Sequence, residues 1–532
     1  MKRAARPKAP VRVEPGVVRR LRPGRPFLYF LAVSAAFLAL ALPHLESPRI
    51  GWEEAIVPSA AIELLAGQAI SPHFVPLRVA GRDWPLLFNV RGTGAVESYL
   101  MLPVFKLFGA SVFTLRLAET LLTLFAGLLL VRAAGVLFDE ETAYTAAPLL
   151  LLNASFLLYG TRDGFEGGIL VQWLFLALSL LAFARVLQGR GEYLPWAALA
   201  LGAGVYAKLH FLGIALGMSA VYACLVAMGR CRAPRPGVAL AAAACFAVGC
   251  LPFVLWNLSS GGASFRQLGA LSRNPYSAAG SLGLRLLQLG GYLRGQVWPV
   301  ASGEPGWLGL AGRAAPSAAL LYCLTPSFGA RFPKARTRIL CLTAISAIFL
   351  IVISRMLTLP GHNHVLPALP LILLAYSASF RYLVPGRAAR AALVALLLLT
   401  DLSALRAFHV AAGAARAPDS FEELAAYLAA HRIDRPINVN DHDLGPELEV
   451  LTAGQVIPTQ VVFLPAEAAE RFLTGALRQP ASAFLMTEGR GLTQPERSEL
   501  FERLLAREGL SRRVLRTFEG GKILLFEAKK RG

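Results

Sequence analysis

The chain is built from apolar runs of membrane-crossing length. "FLYFLAVSAAFLALALP" fills 27–43, and comparable runs recur at 113–131, 142–159, 167–185, 194–207, 209–228, 236–257, 306–325, 339–357, 364–380 and 391–411. In lipid every backbone N–H and C=O must find its partner inside the protein, so only helices and closed barrels cross a bilayer. Runs of about 20 residues fit a spanning helix, whereas a barrel strand needs only about 10. Composition agrees: 55% of the 532 residues are hydrophobic and 16% are charged, against roughly 25% charged in a soluble domain. The chain reads as a polytopic α-helical membrane protein with about eleven transmembrane helices.

The formal net charge of +20 first suggests nucleic acid or anionic lipid as partner. The distribution decides against nucleic acid. Basic residues cluster in short connectors between apolar runs: Arg132; Arg185 and Arg190; Arg230, Arg232 and Arg235; Arg331, Lys334, Arg336 and Arg338; Arg381, Arg387 and Arg390. This is the positive-inside pattern, with membrane lipid as the surrounding partner. It puts the basic arm 1–26 in the cytoplasm and the tail from 413 outside. It also requires 193–228 to be two spans, because one span there would turn every later basic connector outward. The long arm and the many following runs make 27–43 an uncleaved first helix rather than a signal peptide. An Arg-, Ala-, Leu- and Gly-rich composition hints at a GC-rich bacterial genome, and a polytopic protein of such a cell is expected in the bacterial inner membrane. No cysteine lies in the outer loops or the tail, which argues against a disulfide framework.

From 413 the texture changes. "FEELAAYLAAHR", "PAEAAERFLTGALRQ" and "QPERSELFERLLAREG" read as helices. "PINVN", "SAFLMT", "RRVLRTF" and "KILLFEA" read as strands. The alternation predicts a small C-terminal α/β domain over 413–532.

By parity the outer face carries loops 44–112 and 258–305, "GTRDGFEGG" and "LPGHNH". Glu53, Glu54, Asp163, Lys208, Arg355, His362 and His364 therefore share one surface. Ionisable residues at a membrane boundary are functional candidates by default. Pro58 suits the first turn of a helix following the glutamates. Arg116 and Glu119, three apart on one helix, read as an intrahelical pair. "DHD" at 441–443 reads as a polar loop after a strand rather than a metal site.

These segments resemble a known family. "GWEEAIVPSAAIELLAGQ", "ESYLMLPVFKLFGASVFTLRLAETLLTLFAG", "YGTRDGFEGG", "GAGVYAKLHFLGI" and "HNHVLPALPLILL" are similar, in order, to motifs of the GT-C superfamily of membrane glycosyltransferases. The branch is that of protein O-mannosyltransferases and aminoarabinose transferases. The resemblance implies a GT-C-like fold over 27–412 and an inverting transfer of a sugar from a polyprenyl-phosphate donor to a lipid, glycan or protein acceptor on the outer, periplasmic face. Glu53 falls on the catalytic acid, where the family usually has Asp, and Glu54 beside it. Asp163 matches the second-loop acid, which orients the acceptor or, in some relatives, helps hold a divalent metal. Lys208 matches the basic residue near the lipid phosphate. His364 stands where the family often has Arg, and His362 and Arg355 join it as donor-phosphate candidates. The chemistry suits these residue types. A carboxylate takes the acceptor proton as general base, and cations stabilise the departing phosphate.

Two other functions compete. A transporter or lipid flippase usually carries internal repeats and broken midplane helices; no repeat of 20–50 residues is visible here. A surface-polysaccharide polymerase or ligase would use a lipid pyrophosphate donor.

Overall fold

The computed structural model describes residues 25–46, 50, 52–70, 74–88, 92–162, 168–266, 282–297, 306–356, 362–414, 420–441, 444–461, 464, 466–479, 482–487, 494–518 and 522–530. The basic arm lies outside them. Each of the eleven predicted runs is helical. Seven helices are long and apolar enough to cross a membrane, or up to nine if two bent pairs each count as one span. The sequence count of eleven is higher because two predicted runs do not qualify. The helix Leu194–Ala207 has only 14 residues, shorter than a typical span at about 1.5 Å per residue, although the sidedness of the arginine connectors needs it to cross. The helix Gly306–Leu324 begins with three glycines and an arginine in its first eight positions, "GWLGLAGR".

Both bends have local causes. Between α5 (Glu140–Leu151) and α6 (Ala154–Thr161) the axis turns by 61°. Asn153 caps α6 by accepting from the Phe156 N–H at 3.1 Å, and buried Asp401 accepts from Asn153 Nδ2 and the Ala154 N–H, each at 3.2 Å. The new helix start thus has its free N–H groups met by a cap and a carboxylate. Between α10 (Pro236–Gly249) and α11 (Leu251–Ser259) the 66° turn falls at a Gly-Cys-Leu-Pro sequence, with Pro252 inside the first turn of α11. Here α10 also lies close on α8 (Leu194–Ala207). A Cβ on Gly202 would stand 2.2 Å from the Phe246 carbonyl, and one on Gly249 2.5 Å from the Leu199 carbonyl. Small residues of this kind let membrane helices approach backbone to backbone.

The bundle has two chemically distinct ends. At one, acids and arginines pair: Arg381 with Asp139 at 3.4 Å, and Arg387 and Arg390 with Glu141. Tyr29, near the start of α1 (Arg25–Ala41), donates to the Tyr144 carbonyl beside them. At the other end lies the segment after α1. It comprises α2 (Trp52–Leu65), the strands β1 (Phe74–Val79), β2 (Arg82–Phe88) and β3 (Thr93–Gly94), and α3 (Val96–Phe108), which leads into α4 (Val112–Leu137). The β1–β2 hairpin turns on Ala80 and Gly81, both at positive φ, the conformation a two-residue hairpin demands. The sequence reading contains none of these strands.

The C-terminal region holds a five-stranded sheet ordered β5 (Thr459–Gln460), β4 (Ile437–Asn438), β6 (Ala483–Thr487), β8 (Ile523–Lys530), β7 (Leu510–Phe518). Alternation sorts its residues to two faces. Phe484 and Phe526 pack with Leu473 and Phe501 of the helices Ala466–Leu477 and Pro495–Arg507. Leu485 and Leu525 pack with Leu424 and Leu448 of the helices Ser420–Ala430 and Leu444–Leu451. This layered unit docks on the segment after α1. Val450 is buried in one cluster with Ile62, Met101, Phe105 and Leu115.

Candidate active site

The first helix after α1 begins at Trp52, so Pro58 stands inside it rather than in its first turn. Glu53 and Glu54 therefore occupy its first turn. The backbone places Glu53 there, but its side chain lies outside the described residues. Glu54 is buried and grips Arg116 with both oxygens, at 2.5 Å to Nε and 2.8 Å to Nη2. Arg116 is fully buried, and its Nη1 donates to the Leu45 carbonyl at 2.8 Å. Two-pronged carboxylate–guanidinium contacts are the strongest of the common ion pairs. They hold buried charge only when both partners stay in place. The partner of Arg116 across the fold is thus Glu54; Glu119, one turn on, adds negative charge beside the same guanidinium.

Arg162 extends the cluster. It follows α6 and donates to the His44 carbonyl at 2.7 Å, with its guanidinium over the Phe408 ring at 5.5 Å. Burial, reinforced by the nearby Arg116, lowers its pKa to about 10, while Glu54 and Glu119 act in the opposite direction.

A second group forms where α8 ends. Lys208 leaves the helix in an extended conformation, bridges Thr93 of β3, and is followed by a Leu209 N–H bonded to the Gly92 carbonyl at 2.6 Å. The approach needs glycine at 92: its φ is +78°, and a Cβ would stand 2.8 Å from Leu209 Cβ. Lys208 is 7% exposed. It lines a pocket with Gln172, His210 and His364, closed by Ile169 and Pro367. His364 stands edge-on to His210, ring centres 5.4 Å apart. The turn carrying His364 is fixed by Trp173 of α7 (Ile169–Leu187), whose indole donates to the Leu366 carbonyl at 2.9 Å. The free space is about 10 Å³, room for about one water. A sugar phosphate enters only if the lining side chains part. Among the described residues no carboxylate pairs with Lys208.

Asp163 lies outside the described residues, yet both ends of its segment are placed. Arg162 stands in the first cluster. Gly168 begins the approach to the second, where a Cβ would lie 3.8 Å from the Ala207 carbonyl and 3.9 Å from Gln172 Nε2. The structure thus brings Lys208 and His364 together and puts Glu54 with Arg116 and Arg162. His362 is placed only by its backbone, at the start of the turn His362–Ala368. Arg355 is exposed at the end of the helix Pro333–Met356 and is not among the pocket walls. Sequence reasoning missed Gln172 and His210. His210 sits two positions after Lys208 in the matched "GAGVYAKLHFLGI", and Gln172 is a lone amide in an apolar run; its Oε1 is buried with no hydrogen-bond partner among the described residues.

With both Glu54 oxygens on Arg116, and no three His, Cys, Asp or Glu side chains gathered among the described residues, the described residues do not make a metal site.

Comparison with known proteins bears on this geometry. The family model for dolichyl-phosphate-mannose-protein mannosyltransferase matches residues 94–256. No curated protein matches the sequence. Among solved structures, ArnT from Cupriavidus metallidurans bound to undecaprenyl phosphate superposes with a TM-score of 0.63 at 13% identity, over 94% of this chain and 97% of that one. The apo state of the same enzyme gives 0.58 at 14% identity with the same coverage. The apo oligosaccharyltransferase of Archaeoglobus fulgidus gives 0.50 at 14% identity, over 88% of this chain and 70% of that one.

Proposed function

We propose that this chain, which has the fold of the GT-C membrane glycosyltransferases, moves a sugar from a polyprenyl phosphate to an acceptor hydroxyl with inversion at the anomeric carbon. The observation that carries the reading is Lys208: a buried ammonium, in a polar pocket at one end of a membrane bundle, with no carboxylate partner among the described residues. An unpaired buried charge is costly, and an anionic ligand removes that cost. The phosphate of a lipid donor is such a ligand, and ArnT was crystallised with one.

In this reading Glu53 takes the proton of the acceptor hydroxyl. The acceptor oxygen attacks the anomeric carbon, and the carbon–oxygen bond to phosphate breaks. The polyprenyl phosphate leaves as an anion against Lys208, with His364 and His362 beside it. Arg355, exposed at its helix end, meets the phosphate as the donor enters. Glu54 is held by Arg116, so it positions α2 rather than exchanging protons. Asp163, between the two clusters in sequence, orients the acceptor. We assign the transferase to 27–412, the outer unit to 413–532, and the site to the periplasmic side of a bacterial inner membrane.

The test is a panel of radiolabelled polyprenyl-phosphate hexoses and pentoses offered to the purified protein with a membrane acceptor extract. Turnover of one donor is expected. No turnover of any, with lipid-pyrophosphate glycans consumed instead, would replace the reading by a polymerase or ligase.

A further inference from the structure

A groove of about 370 Å³ opens between α1 and the helix Arg387–Ala414, well apart in sequence from the Lys208 pocket. Leu40 and Leu405 contribute its apolar wall, and His44, Arg406 and His409 its polar end. The His44 and His409 rings stack face to face, centres 3.6 Å apart and 14° from parallel. Face-to-face stacking leaves no hydrogen bond between the imidazoles, so their ring N–H groups point outward along the ring planes. Arg406 is exposed and has no carboxylate partner among the described residues. Arg162 adds a further guanidinium behind the groove, through the His44 carbonyl and the Phe408 ring.

Depth identifies the occupant. Arg387 pairs with Glu141 at the arginine-rich end of the bundle. Arg406 follows it by nineteen positions on the same helix, a rise of about 28 Å. That matches the roughly 30 Å of bilayer hydrocarbon. Arg406 and the stacked histidines therefore sit at the opposite interface, where lipid phosphates lie, with apolar side chains of the same groove below them. Exposed cations at this end run against the bias that gathers the connector arginines at the far end, so they call for a local anion.

We propose that this groove seats the phosphate of an anionic membrane lipid, with Arg406 as its main contact, His44 and His409 as further donors, and the acyl chains along Leu40 and Leu405. The site is separate from the donor pocket and does not depend on the sugar-transfer reading. Arg162, bonded to the His44 carbonyl and stacked on Phe408, lies between the groove and the Glu54–Arg116 pair.

The full-length protein in detergent would be titrated with dioctanoyl-phosphatidylglycerol and, separately, with dioctanoyl-phosphatidylcholine, and bound lipid counted by native mass spectrometry. Wild type should retain phosphatidylglycerol at least tenfold more tightly than phosphatidylcholine. Arg406→Gln, at an exposed position, should weaken phosphatidylglycerol by about tenfold, the range of one hydrogen-bonded charge contact, and leave phosphatidylcholine unchanged. His409→Gln should weaken it by a smaller factor. Millimolar inorganic phosphate should not displace the lipid. Equal affinity in Arg406→Gln, equal retention of the two lipids, or displacement by inorganic phosphate would each overturn the proposal. Thermal melting of both variants separates misfolding from lost binding, and unchanged donor turnover separates this site from the Lys208 pocket.

Discussion

Arg116 and Glu54 form a buried two-pronged ion pair at 2.5 and 2.8 Å although 62 positions separate them in sequence. The pair fastens the helix carrying the acidic motif to the start of a membrane helix. Removing one partner strands the other charge in the interior, so Arg116→Met should destabilise by about 3–5 kcal/mol. The double variant Arg116→Met/Glu54→Leu should recover much of that loss. Denaturation in detergent checks both; equal stability of wild type and Arg116→Met would show that the pair carries no structural load.

Lys208→Met keeps the stem and removes the charge. Donor affinity should fall by about 10–100-fold, the range for a charge-assisted hydrogen bond, while acceptor affinity changes less. Equilibrium binding of a non-hydrolysable lipid phosphate reads this directly. Unchanged donor affinity would take Lys208 out of the site.

A carboxyl is buried where the C-terminal unit meets α2. Glu449 is buried, and burial together with nearby Glu63 holds its pKa well above the ordinary carboxyl value. Folded and docked, it prefers to be protonated; released, it titrates near pH 4.3, about the usual value for Glu. Its contribution to docking is therefore complete below that pH and is lost as pH rises through the raised value. Limited proteolysis of the tail should become faster from acid to neutral pH in wild type, and Glu449→Gln should remove that part of the pH dependence. Identical profiles would exclude this carboxyl as the cause.

Sidedness rests on the arginine-rich connectors. Reporter fusions at Arg232 and at Ala430 should report opposite faces of the membrane. The same face for both would break the assignment of the tail and the site to the outside.

Residue patterning alone led to much of this fold. Each apolar run is a helix, and the two-residue alternation of "SAFLMT" and "KILLFEA" is the alternation that sends Phe484 and Phe526 to one face and Leu485 and Leu525 to the other. The hairpin after α2 was hidden by Pro76 and Pro85, which argue against strands; the register shift at Val75/Pro76 is where the sheet accommodates the first. The Arg116–Glu54 pair was hidden because a contact over 62 positions leaves no local signature, while Glu119 offered a partner within one turn. Lys208 stood out as a lone cation between apolar runs. Gln172 did not, because one amide in a buried helix looks the same whether or not it faces a ligand.

In the proposed mechanism the acid at the start of α2 is the base of a sugar transfer from a lipid phosphate. The direct measurement is the single-turnover rate of the identified donor with wild type and with Glu53→Gln, which keeps the shape and removes the basicity. Losing a general base typically costs about 10²–10⁴ in rate. A fall of that size is expected with donor affinity and melting temperature preserved, and partial activity in Glu53→Asp. A Glu53→Gln enzyme that turns over at the wild-type rate would contradict it and leave Asp163 as the next acid to test.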